Sequence, residues 1–445
     1  MKRQLPGPMP LDEFKDTIKG FEDYVGADWL RSQPHDASPL TQVWNRADYT
    51  ASLELFTVAD SYKQMAWRTD ASWLAKYQEA IRTHNATDIL SQTYELTSAA
   101  VFRYEPEVKL CPPSHPGYDF TLSALGKTIR VSCKKLGVSD GEKAFHKRAQ
   151  EIYEQVRDSA SKAGLPSFQM TLKLVDPNDK LKPSPVELQS GITRTLATYR
   201  DGQFINRPIG GWRMTVDPLC YGPAGLVVDR DYASHQFICI TPFSQDEQGR
   251  FEDRFKNAAH MLKKHGGLID KGNMNMVMIG LPLSVSFAKA REWLNKKFAR
   301  DNSSVSAVML TRFATASARD MSETNVYFEY TFIPNPSAQV KWEEFKPEGF
   351  MNRATVPIGN VIEVTEQATE SLNMLNMDGK LKNLGDMYMF QRGQVYLPAA
   401  PKGEEMKLNF PEAQGIQYHR VVRIPGQGVI GITAITPPDN TMVLL

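Results

Sequence analysis

Asp119, Lys134 and Glu95 are the residues of this chain whose types and spacing point to shared chemistry. Successive side chains of a strand point to opposite faces. In Ile129-Arg130-Val131-Ser132-Cys133-Lys134, Ile129, Val131 and Cys133 therefore share one face and Arg130, Ser132 and Lys134 the other. The preceding strand, Tyr118 to Leu122, sends Asp119 away from Tyr118 and Phe120, and Ser123-Ala124-Leu125-Gly126-Lys127 reads as the turn of a hairpin. The hairpin places the Asp119 carboxylate and the Lys134 ammonium on one polar face, where Glu95, on the helix before it, can join them. Two carboxylates with a lysine suit metal-assisted phosphodiester hydrolysis. The carboxylates hold Mg²⁺ through oxygen, and the metal polarises the phosphoryl oxygen and lowers the pKa of bound water. The lysine orients that water and offsets charge that builds up in the transition state.

Helix-borne Glu95, then Pro116-Gly117-Tyr118-Asp119-Phe120, a short turn, Ile129 to Lys134 and a basic helix resemble the core of the PD-(D/E)XK nuclease superfamily, the restriction-endonuclease-like fold. The resemblance covers Ser91 to Leu174 and extends more loosely to about residue 340. It implies an α/β fold with a mixed sheet flanked by helices, and Mg²⁺-dependent (or Mn²⁺-dependent) cleavage of nucleic acid, as in restriction or defence. Asp119 and Glu95 would be the metal ligands and Lys134 the catalytic lysine. Ser132 falls on the usual acidic position of (D/E)-X-K. Lys135 is the alternative lysine if the register slips by one, and Glu107 is a substitute acid on the neighbouring strand. Ser132 also opens a second expectation, a catalytically inactive nuclease-like protein that binds nucleic acid or a protein partner. A structural or assembly protein, with Glu95, Asp119 and Lys134 pointing apart, is the third.

These residues need elements to position them. At 445 residues the chain has room for two to four domains. The expected division is a helical N-terminal domain over 1–90, the α/β core with its extension over 91–340, and a β-rich C-terminal domain over 341–445. Asp70 is a good N-cap for a helix carrying Trp73, Leu74, Tyr77, Ala80 and Ile81. Ser139 with Glu142 three residues on is a capping box, opening a helix that turns Phe145, Ala149, Ile152, Tyr153 and Val156 inward. Strands are predicted at Phe168–Leu174, Phe237–Ile240, Met276–Leu281 and Val305–Leu310, with helices over the Phe251–Leu262 stripe and Ala288–Arg300. Beyond residue 340 strands are predicted around Val361, Tyr388, Gln394–Leu397, Val421 and Ile430–Ile435.

Other motifs fail on context. Gly426-Gln427-Gly428-Val429-Ile430-Gly431 spells a dinucleotide fingerprint, but a strand follows it, not a helix. Gly126-Lys127-Thr128 resembles the end of a phosphate loop, yet its first glycine would be Thr121. Cys111 and His115 have no second pair to complete a zinc site. His146 reads as an exposed helical histidine and His235 as a strand-end residue. Trp212, Trp293 and Trp342 read as core or interface aromatics.

Composition and charge bound the partners. With 52 Lys+Arg against 51 Asp+Glu the chain is nearly neutral, which excludes a uniformly basic coat but not a local basic face. From Lys127 to Lys173 there are ten Lys/Arg against five Asp/Glu, with Arg130, Lys135, Lys147 and Arg148 as candidate nucleic-acid contacts. The expected partner is nucleic acid, DNA ahead of RNA, with room for a homo-oligomer. The four cysteines are too few and scattered for a disulfide scaffold. Leu5-Pro6-Gly7-Pro8 interrupts any signal-peptide-like stretch, and Met274–Ala288 is too short and polar to span a bilayer. A cytoplasmic protein without a membrane segment is expected.

Overall fold

The computed structural model describes residues 10–34, 37–45, 49–124, 126–175, 185–200, 202–218, 235–242, 246–267, 269–270, 272–282, 284–298, 304–317, 324–342, 351–366, 369–375, 381–383, 387–392, 416–424 and 428–436. The protein is mixed α/β, with a helical N-terminal region and a strand-rich remainder. Six helices come first: α1 (Leu11–Val25), α2 (Ala27–Ser32), α3 (Pro39–Asn45), α4 (Tyr49–Met65), α5 (Ala71–Arg82) and α6 (Ala86–Val101). Asp70 caps α5 as expected, its carboxylate accepting from the Ser72 amide at 2.8 Å. The long apolar runs in α4 and α6 are buried on most sides, so these two helices form the centre of the helical layer.

After α6 come β1 (Lys109–Leu110), β2 (Phe120–Ala124) and β3 (Lys127–Lys135), then α7 (Asp140–Lys162), β4 (Phe168–Leu174), α8 (Pro185–Thr198), β5 (Ile205–Ile209), β6 (Trp212–Pro218) and β7 (His235–Pro242). Next are α9 (Asp246–His265), β8 (Asn273–Gly280), α10 (Phe287–Phe298), β9 (Ala307–Ser317), β10 (Thr324–Pro334) and β11 (Gly359–Glu363). The last strands are β12 (Thr369–Leu375), β13 (Leu381–Asn383), β14 (Met387–Arg392), β15 (Ile416–Ile424) and β16 (Gly428–Thr436). Gly428 and Gly431 thus lie in a strand, as the failed fingerprint implied, while Gln394–Leu397 falls outside the described residues.

The strands form three sheets. A seven-stranded sheet runs β1-β2-β3-β8-β9-β10-β11, a five-stranded sheet β14-β7-β4-β6-β5, and a four-stranded sheet β13-β12-β15-β16. In the first, β1, β2 and β3 are an antiparallel meander, and β8 returns parallel to β3, with Ser132 opposite Val277 and Lys134 opposite Ile279. The alternation of β3 puts Ile129, Val131 and Cys133 in one core with the helical layer. Val277 and Ile279, on the other face, pack with Phe251, Phe255 and Leu262 of α9 and Trp293 and Phe298 of α10.

The segment between β3 and α9 supplies four strands of the five-stranded sheet, and β14 adds the fifth. The inward stripe of α7 (Phe145, Ala149, Ile152, Val156) packs on that sheet with Trp212, Phe237 and Phe390, so the basic helix covers a different layer from the one that holds Asp119. Strands after residue 340 divide among all three sheets: β11 joins the first, β14 the second, and the rest form the third. Trp212, Trp293 and Trp342 are buried core residues. No helix among the described residues is long and apolar enough to cross a membrane.

Candidate functional site

Asp119 sits one residue before β2, where the hairpin opens. Pairing between β2 and β3 ends at Phe120–Val131, but β3 runs on to Lys135. The backbone N–H of Cys133 therefore needs another acceptor. Asp119 Oδ2 supplies it at 2.6 Å and also accepts from Ser132 Oγ at 3.3 Å. Lys134 Nζ lies 3.7 Å from the same oxygen, with both side chains about a quarter exposed. Two backbone hydrogen bonds fix the position of Asp119: its N–H donates to Val131 O at 2.8 Å, and its C=O accepts from Cys111 N at 2.9 Å. The Pro/Gly loop ahead is seated on α9, because a Cβ on Gly117 would stand 2.9 Å from the His265 backbone.

Glu95 approaches from the helical layer. It projects from α6 beside Tyr94, whose ring fills the space over Gly280 and whose hydroxyl meets Thr311 Oγ1 at 2.6 Å. Trp73 Nε1 donates to Glu95 Oε2 at 3.1 Å. Burial pushes the Glu95 carboxyl up to about 8, with the Asp119 charge adding to the rise; the Trp73 hydrogen bond and the Lys134 and Lys76 ammonium groups act against it. Glu95 thus binds a proton at neutral pH. The same two carboxylates, after burial itself, raise both neighbouring thiols, Cys111 to about 12 and Cys133 well above its ordinary value. Both cysteines remain thiols.

The structure brings Asp119, Ser132 and Lys134 into contact, with Glu95 near enough for its carboxyl to respond to the Asp119 and Lys134 charges, and separates the alternatives from them. Lys135 points to the opposite face of β3, where burial lowers its ammonium to about 8 and Glu54 partly offsets this. Lys134 is thus the lysine beside Asp119. Glu107 accepts from Ser123 Oγ at 2.6 Å, four residues along β2 from Asp119, or about 13 Å of strand. It does not replace the acid missing at Ser132. Arg130 lies toward the other end of β3, donating to Asn273 Oδ1 at 3.2 Å. Lys147 and Arg148 are on α7, over the five-stranded sheet; Lys147 is exposed and Arg148 half-buried. His146 is half-buried, between the rings of Phe145 and Phe390, and not an exposed helical residue.

Two participants carry no local sequence signal. Trp73 reads only as part of an apolar stripe, and Lys76 is an exposed residue on the same helix. Their relation to Glu95 arises from the packing of α5 on α6. A cation at this site would have two carboxylates to bind, Asp119 and Glu95. Among the described residues no group of three or more His, Cys, Asp or Glu is arranged to hold a metal ion. Comparison with protein-family models, with curated proteins and with solved structures finds no match to this chain.

Proposed function

We propose that this protein hydrolyses nucleic-acid phosphodiester bonds at the Glu95–Asp119–Lys134 cluster, on a restriction-endonuclease-like core formed by α6, β1–β3, α9 and β8. The observation that carries the reading is the placement of the Lys134 ammonium 3.7 Å from an Asp119 carboxylate that also raises the Glu95 carboxyl. Asp119 and Glu95 suit a Mg²⁺ ion, which is commonly held by one or two carboxylates and keeps several waters. Bound there, it would supply Lewis-acid polarisation of the phosphoryl oxygen and a more acidic water. Cys133 N–H and Ser132 Oγ hold the Asp119 carboxylate through one oxygen, which would leave its other oxygen for a cation. Glu95 would bind a cation in its ionised form. Lys134 offsets the negative charge that develops on the phosphoryl group.

The test is cleavage of supercoiled plasmid, single-stranded DNA and RNA with Mg²⁺ and with Mn²⁺, comparing wild type with Asp119→Ala and Lys134→Ala. The expected result is metal-dependent cleavage that falls at least about 100-fold in each variant. A second reading, a non-catalytic nucleic-acid-binding protein on the same core, is favoured by one observation. Ser132, only 2% exposed, stands where a third acid would be, and Asp119 is already held by Ser132, Cys133 and Lys134. Binding without metal-dependent cleavage of any substrate selects it.

A further inference from the structure

The outer face of α9 carries three lysines against one exposed acid, Asp253, three residues before Lys256. The helix buries Phe251, Phe255, Ala258, Ala259 and Leu262, which turns Lys256, His260, Lys263 and Lys264 to solvent along one stripe. Among the described residues, none of Lys256, Lys263 and Lys264 is in an ion pair. On α10, by contrast, Lys289 and Lys296 both pair with Glu292, and Lys297 pairs with Glu252. The helix dipole accounts for cations in the last turn but not for Lys256 two turns earlier.

The stripe also leads to the candidate site. The loop that delivers Asp119 lies on the last turn of α9, with Gly117 against His265. Arg130, toward the other end of β3 from Lys134, adds a guanidinium beside Gly267 just past this end of α9. From Lys256 to Lys264 the helix rises about 12 Å, comparable to three or four phosphates along one strand of a duplex.

We infer that the Lys256–His260–Lys263–Lys264 face of α9 is the docking surface for the phosphate backbone of nucleic acid, and that it leads a strand to Asp119 and Lys134. The partner follows from charge complementarity and rests on the phosphodiester reading above. The surface makes no base contacts, so binding is insensitive to sequence and sensitive to salt.

The test uses the full chain in EDTA, so that binding is read without cleavage. Fluorescence anisotropy follows labelled 20-nucleotide duplex and single-stranded DNA over a series of KCl concentrations. The variants are K256E/K263E/K264E, the milder K256Q/K263Q/K264Q, and K147E/R148E on α7. Both α9 variants should keep the wild-type circular dichroism and Tm. The Glu variant should bind more than tenfold more weakly at low salt, with the log K against log [salt] slope reduced by about two to three, and the Gln variant should fall between. Wild-type binding by both α9 variants, or a larger loss in K147E/R148E, overturns the inference. So does stronger attachment to phosphatidylserine vesicles than to either DNA. Lost binding in the α9 variants, together with no metal-dependent cleavage by wild type, sustains the docking surface while the catalytic reading fails.

Discussion

The indole N–H of Trp73, on α5, donates to the carboxylate of Glu95, on α6, at 3.1 Å. This bond ties the helical layer to the electrostatics of the site. It favours the ionised form of a group that burial and Asp119 hold protonated up to about pH 8. Trp73→Phe keeps most of the ring volume and removes the donor, so the Glu95 titration moves upward. Cation binding that needs ionised Glu95 should strengthen with pH up to about 8 in the wild type and reach its plateau at higher pH in the variant. Carboxyl NMR titration of Glu95 with and without Mn²⁺ checks this. An unchanged midpoint in Trp73→Phe would remove Trp73 from the site.

Ser132→Asp puts a carboxylate where serine now donates to Asp119 at 3.3 Å, at a position only 2% exposed. In EDTA three acids then crowd around one lysine, and the Tm should fall by several degrees, equivalent to about 1–3 kcal/mol. With Mn²⁺ the added acid becomes a third ligand, so the Tm should recover and rise by more than the wild type gains. Thermal melts in EDTA and in Mn²⁺ give both values. The same Tm in both for the variant would count against a metal centre here.

Part of this arrangement is readable from local sequence. The alternation of Ile129, Val131 and Cys133 with Arg130, Ser132 and Lys134 predicts the two faces of β3; the expected five-residue turn is too long, because Ser123, Ala124 and Lys127 pair within the strands, and this sets Phe120 opposite Val131. Asp119 then falls near Ser132 and Lys134. The caps at Asp70 and Ser139 are local hydrogen bonds and are equally plain. What local sequence does not carry is which layer an element joins. The inner stripe of α7 is clear, but nothing in it says that it covers β7 and β14 and not β3. The edge strand β5 (Ile-Asn-Arg-Pro-Ile) buries only Ile205 and contains Pro208, so its β signal is weak. The protonation of Glu95 depends on Trp73, Asp119 and Lys134, which meet only in the folded chain.

Gly280 is needed for the placement of Glu95. It lies between Lys135 and Thr311 in the sheet, and a Cβ there would stand 2.8 Å from the ring of Tyr94, the residue before Glu95. Gly280→Ala must push that ring, and with it the local turn of α6. A loss of about 1–3 kcal/mol is expected, as for other overpacked cores. Gly137→Ala, where an added Cβ meets nothing within 4 Å, serves as the control. Urea unfolding of both variants, with cleavage or Mn²⁺ affinity measured on the folded fraction, tests the link. A Gly280→Ala protein as stable and active as Gly137→Ala would show that α6 has slack.

Glu142 and Glu247 form a second acidic pair, buried where the two larger sheets meet. Glu142, on α7, accepts from Ser284 Oγ at 3.4 Å, and Glu247, on α9, is held by Arg250 at 3.1 Å and by the Tyr388 hydroxyl from β14. Arg250 also donates to Gly137 O at 2.9 Å. Burial, with the Glu247 charge adding to it, pushes Glu142 up to about 7 from an ordinary 4.5. The folded protein therefore keeps a proton that the unfolded chain releases above about pH 4.5. This term is fully present below that pH, shrinks as pH rises to about 7 and is flat beyond, a change of about 3 kcal/mol. Glu142→Gln stays uncharged throughout and leaves the Ser139 cap intact, since the cap uses the backbone N–H of residue 142. Urea unfolding at pH 5, 6, 7 and 8 should show the wild type losing stability relative to the variant across that window, with the variant the more stable at pH 8. Parallel profiles would mean that Glu142 is ionised in the fold and that Arg250 neutralises both acids.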